Sequence, residues 1–194
     1  MASEADELVT EILANLHELA PEALWNFQPG IEEPELTKLL AAAEFDIPKA
    51  LRIFYQYCDG NEFPNEGGKV VFDQDRLPIL KGAFHMYSLE QVLEYAVKDS
   101  PFYPQGAIAF AGRVERDFLY IDPKDSAVYL SGLYSLTTKI ANSIEEFLQE
   151  YLSGLKAGLY ILDTLYEYYP RIVHKDDIGN EALYSTFDGA SLGE

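Results

Sequence analysis

The chain has one cysteine and three histidines among its 194 residues, and it has no long apolar run. A single cysteine cannot form an internal disulfide, which favours a reducing compartment. No apolar segment approaches the roughly 20 residues that a membrane-spanning helix needs. The N-terminal segment MASEADELVTEI is acidic, whereas signal and transit peptides are basic. These absences predict a cytoplasmic protein that does not enter a membrane.

Positive charge is also scarce. The chain has 14 lysines and arginines against 33 acidic residues, which gives a net charge of −19. No lysine or arginine occurs before Lys38 or after Lys175. This charge repels phosphate groups, so we expect no direct binding to nucleic acid or to anionic membranes. Two interpretations stay open, since the charge favours either solubility alone or a surface complementary to a basic partner.

The sequence has none of the common catalytic or metal-binding motifs. None of the histidines, which are His17, His85 and His174, has a second histidine or a cysteine at ligand spacing. Nucleophile elbows, zinc-protease motifs, phosphate loops and dinucleotide fingerprints are all missing. Asp73 and Asp75 resemble the start of a calcium loop, but Pro78 interrupts it. We therefore predict no enzyme, no metal and no cofactor, and a small hydrolase that uses unrecognised acids is the catalytic alternative.

The only cysteine lies at the end of a predicted helix. Pro48 suits the first turn of this helix, where its missing N–H would have no partner. The apolar face of the helix consists of Leu51, Phe54, Tyr55 and Cys58. Gly60 suits a left-handed C-terminal cap. Because a helix C-terminus disfavours a thiolate, we predict that Cys58 is a buried structural thiol.

Local patterns predict alternating groups of helices and strands. Helices begin at three serine caps, Ser3, Ser88 and Ser143, each with an acid or glutamine three residues later. Further helices are predicted over 34–44 and 156–169, and the chain loses regular patterning beyond 176. The predicted strands are 69–72, 84–87, 107–111, 117–122, 127–130 and 133–140. The turn at 123–126 predicts an antiparallel hairpin between its flanking strands.

In this order the elements resemble the SUKH superfamily, the Smi/Knr-like domain. The matching residues are Ile47-Pro48, Phe54-Tyr55, Asp59-Gly60, Gly68 to Phe72, Ile108, Phe110, Tyr120 to Asp122, Val128, Ser143, Phe147 and Leu148. The resemblance divides the chain into an N-terminal helical extension over 1–30 and a SUKH-like domain over 31–155. A C-terminal helix and tail over 156–194 are expected to pack on the same domain.

The resemblance implies an α+β fold with a mostly antiparallel central sheet flanked by helices, and no catalytic residues or cofactor. For many bacterial members it also implies binding and neutralising a cognate toxin domain. A regulatory scaffold that binds an endogenous protein, as in yeast relatives, is the alternative. A basic toxin, such as a nuclease, would complement the charge of this chain. We predict that the partner contacts acids in the loops beside the sheet, which are Glu62, Asp73, Asp75, Glu115 and Asp117.

Overall fold

The computed structural model describes residues 3–21, 27–60, 84–113, 117–132, 136–163 and 171–175. The helices are α1 (Glu4–Leu19), α2 (Glu33–Ala42), α3 (Lys49–Tyr57), α4 (Leu89–Val97) and α5 (Ile144–Lys156). The strands are β1 (His85–Met86), β2 (Ile108–Arg113), β3 (Asp117–Ile121), β4 (Val128–Gly132), β5 (Thr138–Ala141), β6 (Tyr160–Asp163) and β7 (Arg171–His174). No helix in these ranges is long and apolar enough to cross a bilayer.

Serine caps start three of the helices, as the sequence predicts. In α1 the Ser3 hydroxyl accepts the Asp6 N–H at 3.3 Å, and the Asp6 carboxylate accepts the Ser3 N–H in return. Ser88 and Gln91 form the same reciprocal pair at the start of α4. Both capping boxes satisfy backbone donors that have no partner inside the helix. The capping residues thus determine where these helices begin.

The start of α5 differs from the predicted capping box. Ser143 accepts the Glu146 N–H at 3.1 Å, as expected for an N-cap. The Glu146 carboxylate, however, accepts the N–H of Asn142 at 2.6 Å, one residue before the cap. The carboxylate therefore ties the end of β5 to the first turn of α5.

The helix before Cys58 is confirmed, with two corrections at its ends. Pro48 is the N-cap of α3 and not part of its first turn. Cys58 is extended and buried, with 2% of its surface exposed. Gly60 has the expected positive φ of 75°, but it lies beyond the helix cap. A Cβ there would lie 2.7 Å from the Ser88 nitrogen, so glycine lets the chain pass against the start of α4.

A five-stranded antiparallel sheet forms the centre of the fold, in the order β1-β2-β3-β4-β5. Strands β3 and β4 pair in a register that joins Tyr120 to Tyr129 and Leu119 to Leu130. The turn between these strands is where the sequence places it, and the Asp122 N–H donates to the Ala127 carbonyl at 3.0 Å. The predicted α+β class and antiparallel sheet are confirmed.

Helices cover both faces of this sheet. All five residues of β3 are buried, which requires cover on each side. On one face Phe118 contacts Tyr95 of α4, with ring centroids 6.3 Å apart. Elsewhere in the sheet the ring of Phe110 contacts Phe147 of α5 at 6.0 Å. Helix α5 also packs against α1, which in turn packs against α3. Helix α4 thus packs on the sheet at Phe118, and the layer of α1, α3 and α5 packs on it at Phe110.

The prediction of a helix over 156–169 is wrong for residues 156–163, which are the part of this range that the structure describes. Helix α5 ends at Lys156, and Gly158 takes a φ of 63°. The Leu159 N–H donates to the Gly154 carbonyl at 2.9 Å, which is the geometry of a Schellman cap. The chain then forms β6, which pairs antiparallel with β7. The predicted strand at 69–72 and the tail beyond 176 lie outside the described residues.

Candidate partner-binding surface

The structure describes one of the five predicted contact residues. Asp117 begins β3, where it pairs with Arg113 on one side and Gly132 on the other. It exposes 4% of its surface, so its side chain offers a partner little area in this conformation. The other four, Glu62, Asp73, Asp75 and Glu115, lie outside the described residues. The contact set therefore stays a prediction.

A different surface with charged and aromatic side chains lies at the opposite end of β3, on the β3–β4 hairpin, where the exposed Lys124 also lies. We call it the hairpin surface, and it consists of Tyr120, Asp122, Asp125, Tyr129 and Lys139. Asp125 is its centre, since one carboxylate oxygen accepts the Ala127 N–H at 3.1 Å. The other oxygen accepts the Tyr129 hydroxyl at 3.0 Å and the Lys139 ammonium at 3.4 Å. These contacts fix the Asp125 side chain in one orientation.

Strand register brings the aromatic part of the hairpin surface together. Tyr120 and Tyr129 are cross-strand partners, and their rings stack at 5.6 Å with 16° between the planes. Tyr129 also pairs with Lys139 of β5. Tyr120 is buried, whereas Tyr129 is partly exposed and Lys139 is exposed. The hairpin thus presents the Tyr129 ring beside an ion pair between the Asp125 carboxylate and the Lys139 ammonium.

The contacts of Asp125 also set its protonation. Hydrogen bonds from the Ala127 N–H, the Tyr129 hydroxyl and Lys139 lower the pKa of Asp125, and the backbone donor has the largest effect. Asp125 as acceptor raises the pKa of Tyr129, and burial raises the pKa of Tyr120. At neutral pH the hairpin surface therefore carries an ionised Asp125 and two neutral tyrosines.

The three histidines and the cysteine lie on or beside four different elements of the fold. His17 is exposed at the end of α1, while His85 and His174 pack edge-on against Tyr87 and Tyr160 at 5.1 and 5.4 Å. Burial raises the pKa of the Cys58 thiol, which opposes nucleophilic reactivity. In the described ranges no three histidine, cysteine or acidic residues come close enough to hold a metal ion.

Sequence reasoning placed Asp125 in the turn at 123–126 but did not identify the cluster of side chains around it. Asp125 and Tyr129 are four residues apart, but Asp125 lies in the turn before β4, so the alternation of that strand does not predict their contact. Lys139 is distant in sequence and joins the cluster only through the β4–β5 register. Tertiary pairing was needed to find this surface.

Comparison with known families identifies the domain. The sequence profile described as SMI1 / KNR4 family (SUKH-1) matches residues 30–150, which is more than half of the chain. This range runs from the segment before α2 into the first half of α5. A comparison with curated protein sequences gives no match. The chain belongs to the SMI1 / KNR4 family (SUKH-1), as its resemblance to the SUKH superfamily indicated.

Proposed function

We propose that the protein is a non-enzymatic binding domain that neutralises a cognate toxin domain with a positively charged surface. Its membership of the SUKH-1 family supports a binding role, because this family is generally non-catalytic. The described residues present no assembled nucleophile and base, which agrees with that role.

The distribution of charge is the observation that carries the proposal. The chain has a net charge of −19, and Asp117 is the only buried charged residue among the side chains that the structure describes. Several of the few cations are already engaged, in the pairs Arg52–Glu33, Lys98–Glu94, Lys139–Asp125 and Lys156–Glu11. Apart from Asp117, the acidic side chains whose burial the structure describes are partly or fully exposed, where they attract a basic partner and accelerate its association.

The hairpin surface supplies a rigid part of such an interface. Its central carboxylate has three hydrogen-bond partners before any ligand arrives. A side chain that is already ordered loses little conformational entropy on binding. Tyr129 adds apolar area with a polar tip, a combination that is common in protein interfaces.

The test is co-expression of this chain with the protein encoded beside its gene. We expect the neighbouring protein to inhibit growth when produced alone and to lose that effect when this chain is co-expressed. Calorimetry with the purified pair should give a defined complex whose affinity falls between about 0.05 and about 0.3 M salt. The double variant Asp122→Lys, Asp125→Lys should weaken binding if the hairpin surface is used.

A matched control reverses two acids elsewhere, Glu32→Lys and Glu35→Lys on α2. This control changes the net charge equally, so it separates a local contact from general attraction. Growth inhibition that persists despite co-expression, with no complex in solution, would contradict neutralisation. Association with a non-toxic endogenous protein would instead support the regulatory-scaffold alternative.

A further inference from the structure

Strand β5 is an open edge of the five-stranded sheet. It pairs with β4 on one side, and in the part of the chain that the structure describes no strand pairs with its other side. Thr138 and Lys139 are exposed, and Leu136, two residues before the strand, exposes 89% of its surface. An edge of this kind presents backbone N–H and C=O groups that can pair with another extended chain. We call residues 136–141 the β5 edge.

The register of the sheet shows which backbone groups face outward. The Asp122 N–H donates to the Ala127 carbonyl at 3.0 Å, so these two residues form a hydrogen-bonded pair beside the turn. Because such pairs alternate along an antiparallel ladder, Tyr129 directs its backbone groups toward β3. Lys139 is the partner of Tyr129 on β5, so its own N–H and C=O face away from β4. The β5 edge therefore offers the backbone donor and acceptor of Lys139 to an incoming strand.

The side chain of Lys139 does not block this edge. Lysine and proline on an edge strand commonly hinder its pairing with another chain. The β5 edge contains no proline, and the ammonium of Lys139 is held by the Asp125 carboxylate of the hairpin surface at 3.4 Å. A register shift marks an irregularity at Ile140, so regular pairing on the outer side is limited to the residues before it. The outward backbone groups of Lys139 thus lie at the end of a short pairing site.

Hydrogen bonds order the segment that leads into β5. The Thr138 hydroxyl donates to the Leu136 carbonyl at 3.0 Å, and the Thr137 hydroxyl lies 2.9 Å from the hydroxyl of Ser131 on β4. An edge that is ordered before binding loses little conformational entropy when a partner pairs with it. The exposed Leu136 side chain adds apolar area beside these backbone groups.

We propose that the β5 edge binds an extended segment of the basic partner as a sixth strand of the sheet, a proposal that rests on the proposed function. In such pairing, main-chain hydrogen bonds supply affinity and alternate side chains supply specificity. The edge is continuous with the hairpin surface, because Lys139 belongs to both. A second copy of this chain is a poor occupant, since each copy has a net charge of −19 and the two repel each other. The same charge attracts a basic segment.

The probe is a peptide with the sequence of residues 127–132, which pairs with β5 as strand β4, and with two lysines at each end. Its control has the same side chains and an N-methyl group on each residue, which removes the backbone donors. Both are titrated to millimolar concentration into the ¹⁵N-labelled full chain. We expect the first peptide to shift the amide signals of residues 136–141 and to slow the exchange of the Lys139 N–H with solvent. No shift, equal shifts with the methylated peptide, or shifts outside the β5 edge would overturn the proposal.

Two substitutions of Lys139 separate the backbone from the side chain. Lys139→Pro and Lys139→Ala both remove the ion pair with Asp125, but only proline removes the outward N–H. We expect Lys139→Ala to bind the peptide at least as tightly as the natural chain does. Lys139→Pro should bind it about three- to tenfold more weakly than Lys139→Ala, the effect of one backbone hydrogen bond. Equal affinities of the two variants would contradict strand addition, and the exchange measurement on the natural chain decides if Lys139→Pro does not fold.

Two exposed leucines supply a further control. Leu136→Ser removes apolar area beside the edge and should weaken peptide binding about two- to fivefold. Leu39→Ser on α2 removes another exposed leucine and should leave the affinity unchanged. An equal loss in both variants would reduce the effect to unspecific apolar contact and overturn the proposal.

The toxin domain separates this proposal from the proposed function. If the neighbouring protein is bound and neutralised, but the Lys139 N–H exchanges as fast in the complex as in the free chain, the edge proposal fails and neutralisation stands. If the neighbouring protein is not toxic but the peptide pairs with the β5 edge, neutralisation fails and the edge stands as a site for extended segments.

Discussion

The carboxylate of Asp59 connects the end of α3 to the start of α4, and its removal should weaken that junction. The Asp59 side chain accepts the N–H of Leu89, the first residue of α4, at 2.7 Å. Ser88 accepts a second donor of the same turn, the Gln91 N–H. The two side chains thus satisfy two of the donors that the helix leaves without an internal partner.

Asp59→Ala should lower the free energy of unfolding by about 1 to 2 kcal/mol. This estimate combines a lost capping bond with a lost charge at a helix N-terminus. Asp59→Asn keeps an oxygen that accepts the Leu89 N–H and removes a partly buried charge. We expect it to change stability by about 0.5 kcal/mol or less, because the lost charge–dipole attraction offsets the relief of desolvation.

The pH dependence should distinguish the charge from the hydrogen bond. Burial raises the pKa of Asp59, although the Leu89 N–H lowers it, and nearby Glu90 raises it further. A carboxyl whose pKa is higher in the folded state binds a proton more tightly there than in the unfolded chain. Its stabilising contribution is therefore present at low pH and is lost as the pH rises through the folded pKa. Relative to Asp59→Asn, the natural protein should gain stability from about pH 7 to about pH 4.5.

Urea unfolding of the natural protein and both variants at these two pH values measures the effect. At neutral pH the free energy of unfolding of Asp59→Ala should be well below that of the natural protein and of Asp59→Asn. If Asp59→Ala is as stable as the natural protein, the cap contributes nothing and the reasoning is refuted. If Asp59→Asn loses as much as Asp59→Ala, the charge and not the hydrogen bond is what matters.

Three further predictions concern the core. A Cβ at Gly112 would lie 1.7 Å from the Tyr87 hydroxyl oxygen, so Gly112→Ala should cost about 1 to 3 kcal/mol in urea unfolding. Adding Tyr87→Phe should recover part of that loss, and no recovery would contradict the clash. Phe110→Ala removes a buried ring that packs on Phe147. It should lower the free energy of unfolding by about 3 to 5 kcal/mol and leave the denaturant slope unchanged. A loss below about 1 kcal/mol would contradict this packing. Burial raises the pKa of the Cys58 thiol, so a thiol reagent such as DTNB should react only after unfolding, and rapid labelling of the folded chain would contradict its burial.

Features that depend on neighbours in sequence were predicted well. The serine caps of α1 and α4 identify where those helices begin, because the bonds join residues three apart. The turn at 123–126 identifies the β3–β4 hairpin for the same reason. Burial of Cys58 was predicted from its place on the apolar face of one helix. Each of these conclusions needed only local geometry.

The C-terminal part shows where local patterns fail. The apolar run at Tyr160 is too short for its period to separate a strand from a helix. Gly158 was an available signal, since its left-handed conformation ends α5, but a helix cap does not specify whether the next residues form a strand or a second helix. Strand β6 forms because β7 pairs with it and because Gly154 leaves room for the Tyr160 ring.

The sequence by itself determined the family, the α+β class, most helix starts and the strongly acidic charge, because these depend on residue identity and short-range spacing. Only the tertiary structure decided which side chains meet. It buried Asp117, joined Lys139 to Asp125, and packed Tyr160 of the β6–β7 hairpin against Gly154 of α5. The physical reason is that strand register and helix packing connect residues far apart in the chain, and those contacts have no signature in local spacing.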